Sequence, residues 1–380
     1  MADLPEELGL LTELSAPSGF EEPVLDAARS RLRPWSQSVE LDRRGNLYAV
    51  RSGPVNEKAR TGLSVMLTAH ADEIGLMVTS VHPLGFLKFT RIGYPAELAL
   101  PGQRVRVLSR TGPLEGLIGL RPAHLGTADS ARLTPPISQM YIDIGAESAE
   151  QVRSWGVEPG TPVVLVGELT TTRNPHRLFG KTIDNRIGVW LVCEVARRLH
   201  ELTLNCQVTY VITVEEEIGL RGAAVAAEKV RPDILLAIDT VPCGGTPDVN
   251  PEELPWDIGR GPLIKVRENQ GLMTHRPLRE LIRSVADRHR LPYQWIVDTA
   301  GITDATSAQQ ATGNTAAAVL GLARRYAHSA VELFDLRDLI VHGWSAVAWP
   351  VFAGAVAYAL AYTTLFLTAA CLVFRRRAIQ

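Results

Sequence analysis

The sequence is poor in cysteine, with four cysteines among 380 residues. It has neither the CxxC spacing of many metal and redox sites nor the cysteine density of a disulfide-stapled secreted domain. The residues after Met1 are polar and acidic, and they lack the basic and apolar regions of a secretory signal peptide. We therefore expect a reducing compartment, with the catalytic part of the chain in the cytoplasm.

An excess of positive charge is also absent. The chain carries 39 Lys and Arg against 41 Asp and Glu, which gives a formal net charge of −2. No global positive field is available to hold a nucleic acid, so we expect no nucleic-acid partner. With 46% hydrophobic and 21% charged residues, the composition is that of a globular protein and excludes collagen-like, coiled-coil and disordered chains.

What the sequence does contain is an alternation of strand-like and helix-like segments. Apolar runs suited to buried strands alternate with segments of helical period, which predicts an α/β fold with a mostly parallel, doubly wound sheet. The predicted strands cover residues 37–41, 46–51, 63–68, 207–214, 234–238 and 316–322. The predicted helices cover residues 22–32, 187–199, 223–229 and 278–289.

Between residues 79 and 172 the pattern changes to short β-like segments separated by Gly and Pro turns. This stretch predicts an inserted β-rich domain, and residues 1–78 and 173–343 are expected to form the catalytic domain around it. The insertion would leave the predicted sheet beside the active site. At that position it could form a wall of the substrate pocket and a contact between subunits. We therefore expect it to mediate homo-oligomer formation.

Residues 344–374 contain no Asp, Glu, Lys, Arg or His, and three arginines follow at positions 375–377. Because about 20 helical residues cross the hydrocarbon core of a bilayer, this hydrophobic C-terminal tail predicts a transmembrane segment. The tail would attach a cytoplasmic catalytic domain to the membrane. Two alternatives are a buried C-terminal core helix and a tail that is not native coding sequence.

Acidic and histidine side chains follow several of the predicted strands. His70, the glutamates 215–217 and Asp239 come directly after apolar runs, and His328 follows the last run after a short loop. Asp184 stands at the start of a predicted helix. Ligands gather outside the carboxyl ends of strands in open α/β sheets, so these side chains could all face one crevice.

Two imidazoles with several carboxylates form a ligand set that suits zinc, cobalt or manganese. A site for two ions needs about this many ligands and one carboxylate that bridges them. We predict Asp184 as the bridge, His70 and Asp239 as further ligands of one ion, and Glu217 and His328 as further ligands of the other.

Two more carboxylates receive catalytic roles. Asp72 stands two residues after His70, where it could accept the second ring N–H of that histidine and fix its tautomer. Glu216 adjoins the ligand Glu217 and is predicted to be the base that deprotonates a water molecule.

Asp304 is either a helix N-cap or a residue beside the site.

Each of these residues alone has a simpler explanation. A lone histidine after a strand is usually structural, and a glutamate triplet is usually a solvated helix start. Asp184 alone is most simply an N-cap, and Asp239 alone a turn residue. The metal site is favoured because all of them are expected at the same edge of one sheet.

Five ordered segments resemble the M42 metallopeptidases, the glutamyl and leucyl aminopeptidases of the tetrahedral type that are often labelled endoglucanase or cellulase M. They are residues 69–75 (AHADEIG), 183–186 (IDNR), 216–222 (EEIGLRG), 237–239 (AID) and 325–329 (RYAHS). Residues 17–19 and 301–304 also match, although Ile302 stands where a second glycine is usual. The resemblance covers about residues 5–340.

The resemblance implies a zinc-peptidase-like fold whose β insertion mediates assembly, and it suggests a dodecamer. It implies two divalent ions, zinc or cobalt, held by the residues assigned above. The predicted activity is removal of N-terminal residues from short peptides, with the preferred residue left open. The alternatives are an endoglucanase-type glycoside hydrolase, suggested by the label, and a catalytically silent assembly protein.

Overall fold

The structure, a computed structural model, describes residues 4–52, 62–119, 135–269 and 271–339. Its helices in these ranges are α1 (Leu4–Glu13), α2 (Glu22–Leu32), α3 (Ala149–Ser154), α4 (Ile183–Leu199), α5 (Arg221–Val230), α6 (Arg276–Arg288) and α7 (Asp304–Thr312). The strands up to the end of the insertion are β1 (Ser38–Leu41), β2 (Leu47–Ser52), β3 (Leu63–His70), β4 (Gly75–Val81), β5 (Leu87–Ile92), β6 (Arg104–Ser109), β7 (Gly112–Gly119), β8 (Tyr141–Asp143) and β9 (Pro162–Leu165). The later strands are β10 (Thr170–Thr171), β11 (Arg177–Gly180), β12 (Cys206–Thr213), β13 (Ile234–Pro242), β14 (Leu263–Arg267), β15 (Gln294–Val297), β16 (Ala316–Arg324) and β17 (Glu332–Asp335).

An eight-stranded sheet with the order β1-β2-β12-β3-β13-β16-β14-β15 organises the chain. Strands β12, β3, β13 and β16 run parallel to their neighbours in its centre. The β1–β2 hairpin joins β12 antiparallel, and β14 joins β16 antiparallel. The α/β fold is confirmed, and the sheet is mixed because antiparallel strands flank its parallel centre.

The two faces of the sheet carry separate hydrophobic cores, because side chains alternate along each strand. Val65 and Leu67 of β3 pack on one face with buried residues of α2, α4 and α6. Met66 packs on the other face with alanines of α5 and α7. This arrangement explains why the central strands are apolar on both sides.

A closed barrel with the strand order β4-β5-β8-β7-β6-β9 follows the strand β3. Its interior is filled by apolar side chains from each strand, among them Leu76, Phe89 and Val107. These strands lie between residues 75 and 165, within and just before the stretch predicted as an insertion. A second small sheet, β10-β11-β17, links the end of the barrel to the start of α4.

Several predicted boundaries need correction. Asp239 does not follow its strand but lies within β13, because Thr240 and the residues after it continue to pair with β16. The segment at Asp184 is not yet regular helix, since Asp184 and Asn185 have non-helical backbone angles. The strands β14 and β15 were not predicted from the sequence.

Among residues 4–52, 62–119, 135–269 and 271–339, no helix combines the length and the apolar character needed to cross a membrane. The predicted transmembrane segment at residues 344–374 lies outside the described residues.

Candidate metal centre

The predicted ligands meet at the carboxyl edge of the parallel strands. His70 is the last residue of β3, and Ala237 of β13 pairs with Thr68. Asp239 therefore lies level with His70 on the neighbouring strand. Glu217 lies in the loop after β12, and His328 lies in the loop between β16 and β17.

Two groups of potential ligand atoms form around Asp184. The first group contains His70, Asp184 and Asp239. His70 Nε2 lies 3.3 Å from Asp184 Oδ1 and 3.7 Å from Asp239 Oδ1. The second group contains Asp184, Glu217 and His328. His328 Nε2 lies 3.4 Å from Asp184 Oδ2 and 3.6 Å from Glu217 Oε2. The two oxygens of Asp184 thus face different groups.

Unpartnered oxygens indicate that a cation fits this arrangement. Asp184 Oδ1 and Glu217 Oε1 are buried and have no hydrogen-bond partner. A buried carboxylate oxygen without a donor is costly unless a metal ion or another cation neutralises it. Imidazole nitrogens and carboxylate oxygens are also suitable ligands for zinc and cobalt.

Two buried glutamates at this site have raised pKa values. Burial and the nearby charge of Asp184 together raise the pKa of Glu217 to about 8. Burial also raises the pKa of Glu216 well above its usual range, an effect that the charges of Asp239 and Glu217 reinforce. Burial opposes protonation of His328, but hydrogen bonding to Asp184 and the charge of Glu217 raise its pKa to about 9. The site therefore has a strong demand for positive charge.

Asp72 positions the two glutamates as well as His70. His70 Nδ1 lies 3.1 Å from the backbone carbonyl of Asp72 and 3.5 Å from its Oδ1. The Asp72 carboxylate accepts hydrogen bonds from the backbone N–H groups of Glu216 and Glu217 at 3.0 and 3.1 Å. It also accepts one from the Ser18 hydroxyl at 2.6 Å. The hydrogen bonds to the glutamate backbone and to Ser18 were not predicted.

Glu216 and Glu215 point in different directions. Glu216 Oε2 lies 4.0 Å from His70 Nε2, and its side chain is 10% exposed beside the ligand groups. Glu215 instead forms ion pairs with Arg44 and Arg221 at the surface. Of the three glutamates, only Glu216 therefore lies beside the two ligand groups without belonging to one of them.

Asp304 is buried close to the site and is not the N-cap of α7, which is Thr303. Its Oδ2 accepts a hydrogen bond from the Thr213 hydroxyl. Burial raises the pKa of Asp304 to about 7.

The loop that carries His328 contacts the connection between the barrel strands β5 and β6. His328 has a positive φ of 57°, which is unfavourable for a residue with a side chain. Its backbone carbonyl accepts a hydrogen bond from Ala96 N at 2.9 Å, and its Nδ1 lies 2.9 Å from the carbonyl of Tyr94. Its backbone N–H donates to Glu332. These contacts fix the orientation of the ring.

Arg324 and Glu332 were not recognised from the sequence. Arg324 is the last residue of β16, and it forms buried ion pairs with Asp184 and with Glu332. An arginine at the end of a strand normally indicates a solvent-exposed side chain, so the sequence gave no reason to place it inside.

The sequence profile described as M42 glutamyl aminopeptidase matches residues 45–342. The chain belongs to the M42 peptidase family. Family membership makes it a peptide-bond hydrolase and implies divalent metal ions, which both ligand groups could hold.

Curated relatives of this M42 peptidase carry aminopeptidase names. A putative aminopeptidase of Acetivibrio thermocellus is 32% identical over 89% of this chain and 95% of the relative. A lysyl aminopeptidase of Pyrococcus furiosus is 31% identical over 85% of this chain and 89% of the relative. A glutamyl aminopeptidase of Lactococcus lactis is 28% identical over 89% of this chain and 93% of the relative.

Solved structures of M42-like proteins share the fold. An aminopeptidase of Desulfurococcus kamchatkensis has a TM-score of 0.83 and 34% identity, covering 89% of this chain and 91% of that one. The TET1 peptidase of Pyrococcus horikoshii, which assembles into a tetrahedron or an octahedral shell, has a TM-score of 0.77 and 30% identity, covering 88% and 95%. A Thermotoga maritima protein named endoglucanase has a TM-score of 0.69 and 26% identity, covering 87% and 92%. The glycoside hydrolase alternative rests on such a name alone.

A buried network of charged side chains stabilises the loop that follows β3 in this M42 peptidase. Glu73 is 2% exposed and accepts hydrogen bonds from Lys181 at 3.0 Å and from Arg186 at 3.1 Å. It also accepts one from the backbone N–H of Ala16. Glu73 therefore ties the N-terminal segment, the loop after β3 and the start of α4 together.

We expect Glu73→Ala to lower the free energy of unfolding by about 3–5 kcal/mol, because it leaves two buried cations without their counter-charge. Urea unfolding of the metal-free protein, followed by circular dichroism, measures the change. Glu97→Ala is the control, since the Glu97–Arg91 pair is exposed and should contribute little. Equal midpoints for the two variants would contradict the role of the network.

Proposed function

We propose that this M42 peptidase is an aminopeptidase that removes N-terminal residues from short peptides with the help of two divalent ions, zinc or cobalt. The position of Asp184 supports this proposal most directly. Its two carboxylate oxygens face two separate ligand groups, one with His70 and Asp239 and the other with Glu217 and His328. A carboxylate shared in this way is the expected bridge of a two-ion hydrolytic site.

When bound, the two ions would polarise the scissile carbonyl and make water a better nucleophile. Glu216 supplies the proton transfers. Its carboxylate accepts a proton from the attacking water and returns it to the amine of the leaving peptide. Asp72 holds the backbone of Glu216 in place through the hydrogen bond at 3.0 Å, so the base stays directed into the crevice.

Chelation tests the proposal. We expect EDTA treatment and dialysis to abolish hydrolysis of aminoacyl anilides, and zinc or cobalt to restore it. Peptides with an acetylated N-terminus should resist cleavage, whereas the same peptides with a free amine should lose residues one at a time. Metal-independent cleavage of cellulose would favour a glycosidase, which needs two carboxylates and no metal. No turnover on any substrate after metal loading would favour a silent assembly protein.

The preferred N-terminal residue requires a substrate panel. Relatives named for glutamyl and lysyl specificity have similar identities to this chain, 28% and 31%. Overall similarity therefore does not decide between an acidic and a basic side chain. Aminoacyl fluorogenic substrates with acidic, basic and aliphatic residues would give the ranking directly.

We also propose that the barrel mediates assembly into a closed homo-oligomer, with a dodecamer as the predicted size. Three leucine side chains of this region are exposed, Leu84 by 62%, Leu98 by 79% and Leu117 by 54%. Subunit interfaces cover such side chains. The assembly of the Pyrococcus horikoshii relative supports the proposal.

We expect light scattering to give a particle mass several times that of one chain. Replacing the three leucines by glutamate should lower that mass, because charges would have to be buried in the interface. Leu10→Glu, at an exposed position on α1, serves as the control. An unchanged mass for the triple variant would reject these side chains as interface residues.

A further inference from the structure

Arg324 is a permanent positive charge inside the candidate metal centre. Its side chain is 3% exposed. Its Nε donates a hydrogen bond to the Thr240 hydroxyl at 2.6 Å. Its two terminal nitrogens donate to Glu332 Oε1 and to Asp184 Oδ2. Three buried partners from three chain segments therefore fix the guanidinium beside the shared ligand.

The guanidinium contacts the shared Asp184 through only one of its two carboxylate oxygens. Asp184 Oδ2, which accepts its hydrogen bond, is the oxygen that faces His328 Nε2 at 3.4 Å. Asp184 Oδ1, which faces His70 Nε2 at 3.3 Å, has no hydrogen-bond partner. The side of Asp184 near His70 is therefore free for a metal ion, whereas the side near His328 already carries a cation.

We propose that Arg324 makes the two metal positions unequal, so that the position at Glu217 and His328 binds its ion more weakly than the position at His70 and Asp239. An arginine in a protein stays protonated, so this charge cannot be removed by a change in pH. It repels a divalent ion on the same side of Asp184 and competes for the electron pairs of Oδ2. The inference rests on the proposed two-ion site.

Glu332 strengthens the asymmetry. Its Oε1 accepts from both Arg324 and the backbone N–H of His328, and its Oε2 accepts from the backbone N–H of Asp184 at 3.0 Å. The Glu332 carboxylate thus fixes the Arg324 guanidinium and the backbone at Asp184 and His328 relative to one another. Arg324 cannot move away from the weaker position without losing these contacts.

The asymmetry would make activity depend on metal supply. At low free metal the stronger position fills first, and the chain holds one ion. Hydrolysis then rises only as the weaker position fills. The hydrolytic activity of the M42 peptidase would therefore rise with the free metal concentration near the dissociation constant of the weaker position, which Arg324 sets.

Zinc titration of the metal-stripped full-length protein tests the inference. Calorimetry should give two binding events per chain with dissociation constants at least tenfold apart, and elemental analysis after dialysis should find one retained ion. His328→Ala should keep the tight event, and His70→Ala should remove it. Two events of equal affinity in the wild type would overturn the inference, as would loss of the tight event in His328→Ala.

Variants of Arg324 test the cause. Arg324→Met should tighten the weaker event at least tenfold, whereas Arg324→Lys, which keeps the charge, should leave it weak. Arg325→Met is the matched control, because the neighbouring Arg325 pairs with Asp257 at 2.8 Å instead of with a ligand. If Arg324→Met does not fold, Arg324→Gln replaces it, since an amide can still donate to Glu332. An unchanged or weakened second event in the neutral variant would overturn the proposed cause.

These outcomes differ from a failure of the proposed function. A wild-type chain that binds no zinc, or that binds zinc and cleaves no peptide, would contradict the aminopeptidase proposal. Two equal sites with full peptide hydrolysis would contradict only the role of Arg324.

Discussion

Glu216→Gln should lower kcat by about 10²–10⁴, the usual contribution of a positioned general base. Glutamine has nearly the same shape as glutamate but cannot accept the proton of the attacking water. Glu216 is not among the residues of either ligand group, so the variant should keep its bound metal. A large loss of turnover with normal metal content is therefore the expected result.

Two measurements on the same sample decide this prediction. Elemental analysis gives the metal content, and hydrolysis of an aminoacyl anilide gives kcat and KM. Glu215→Gln is a closely matched control, because Glu215 is the adjacent residue and pairs with Arg44 and Arg221. Turnover at the wild-type rate in Glu216→Gln would show that another group acts as the base.

Asp184→Asn should lower hydrolysis by about 10³-fold or more, since it weakens both metal positions at once and metal ions supply several kcal/mol to such reactions. The amide removes the negative charge that both ligand groups share. Unlike Glu216→Gln, this variant should lose metal during dialysis. Elemental analysis therefore separates the two variants even if both are inactive.

Asp257→Asn provides the control for Asp184→Asn. Asp257 also pairs with an arginine, Arg325, but the pair lies outside the ligand groups. This control should keep both its metal content and its activity. Full metal content in Asp184→Asn would contradict the role of Asp184 as a shared ligand.

Much of the fold could be predicted because local patterns agree with the final packing. Helix α2 has the predicted bounds, since a turn precedes it and its apolar residues recur at helical spacing. The central strands are buried on both faces and therefore appear as apolar runs. The strands β14 and β15 are short and lie at one end of the sheet. Lys265 and Arg267 interrupt the apolar run of β14, and β15 buries only Ile296 among its four residues.

The candidate site was predictable as a set of residue types and positions, but its internal contacts were not. The structure brings the five predicted ligands together in two groups. The pairing of Arg324 with Asp184 joins residues 140 positions apart in the sequence, a contact that no local pattern specifies. The backbone contacts of Asp72 likewise join residues 144 and 145 positions apart in the sequence. Their roles in catalysis and binding stay predictions that the variants above can test.

The attachment of the barrel has a mechanical consequence. The first barrel strand, β4, begins at Gly75, five residues after His70. After the barrel, the chain returns through β11, which ends at Gly180, four residues before Asp184. The connection between the barrel strands β5 and β6 also contacts His328 through Tyr94 and Ala96. Because these connections are short, a tilt of the barrel would move three of the predicted ligands, His70, Asp184 and His328, at the same time. Any force that neighbouring subunits exert on the barrel would thus be transmitted to the spacing of the ligand atoms.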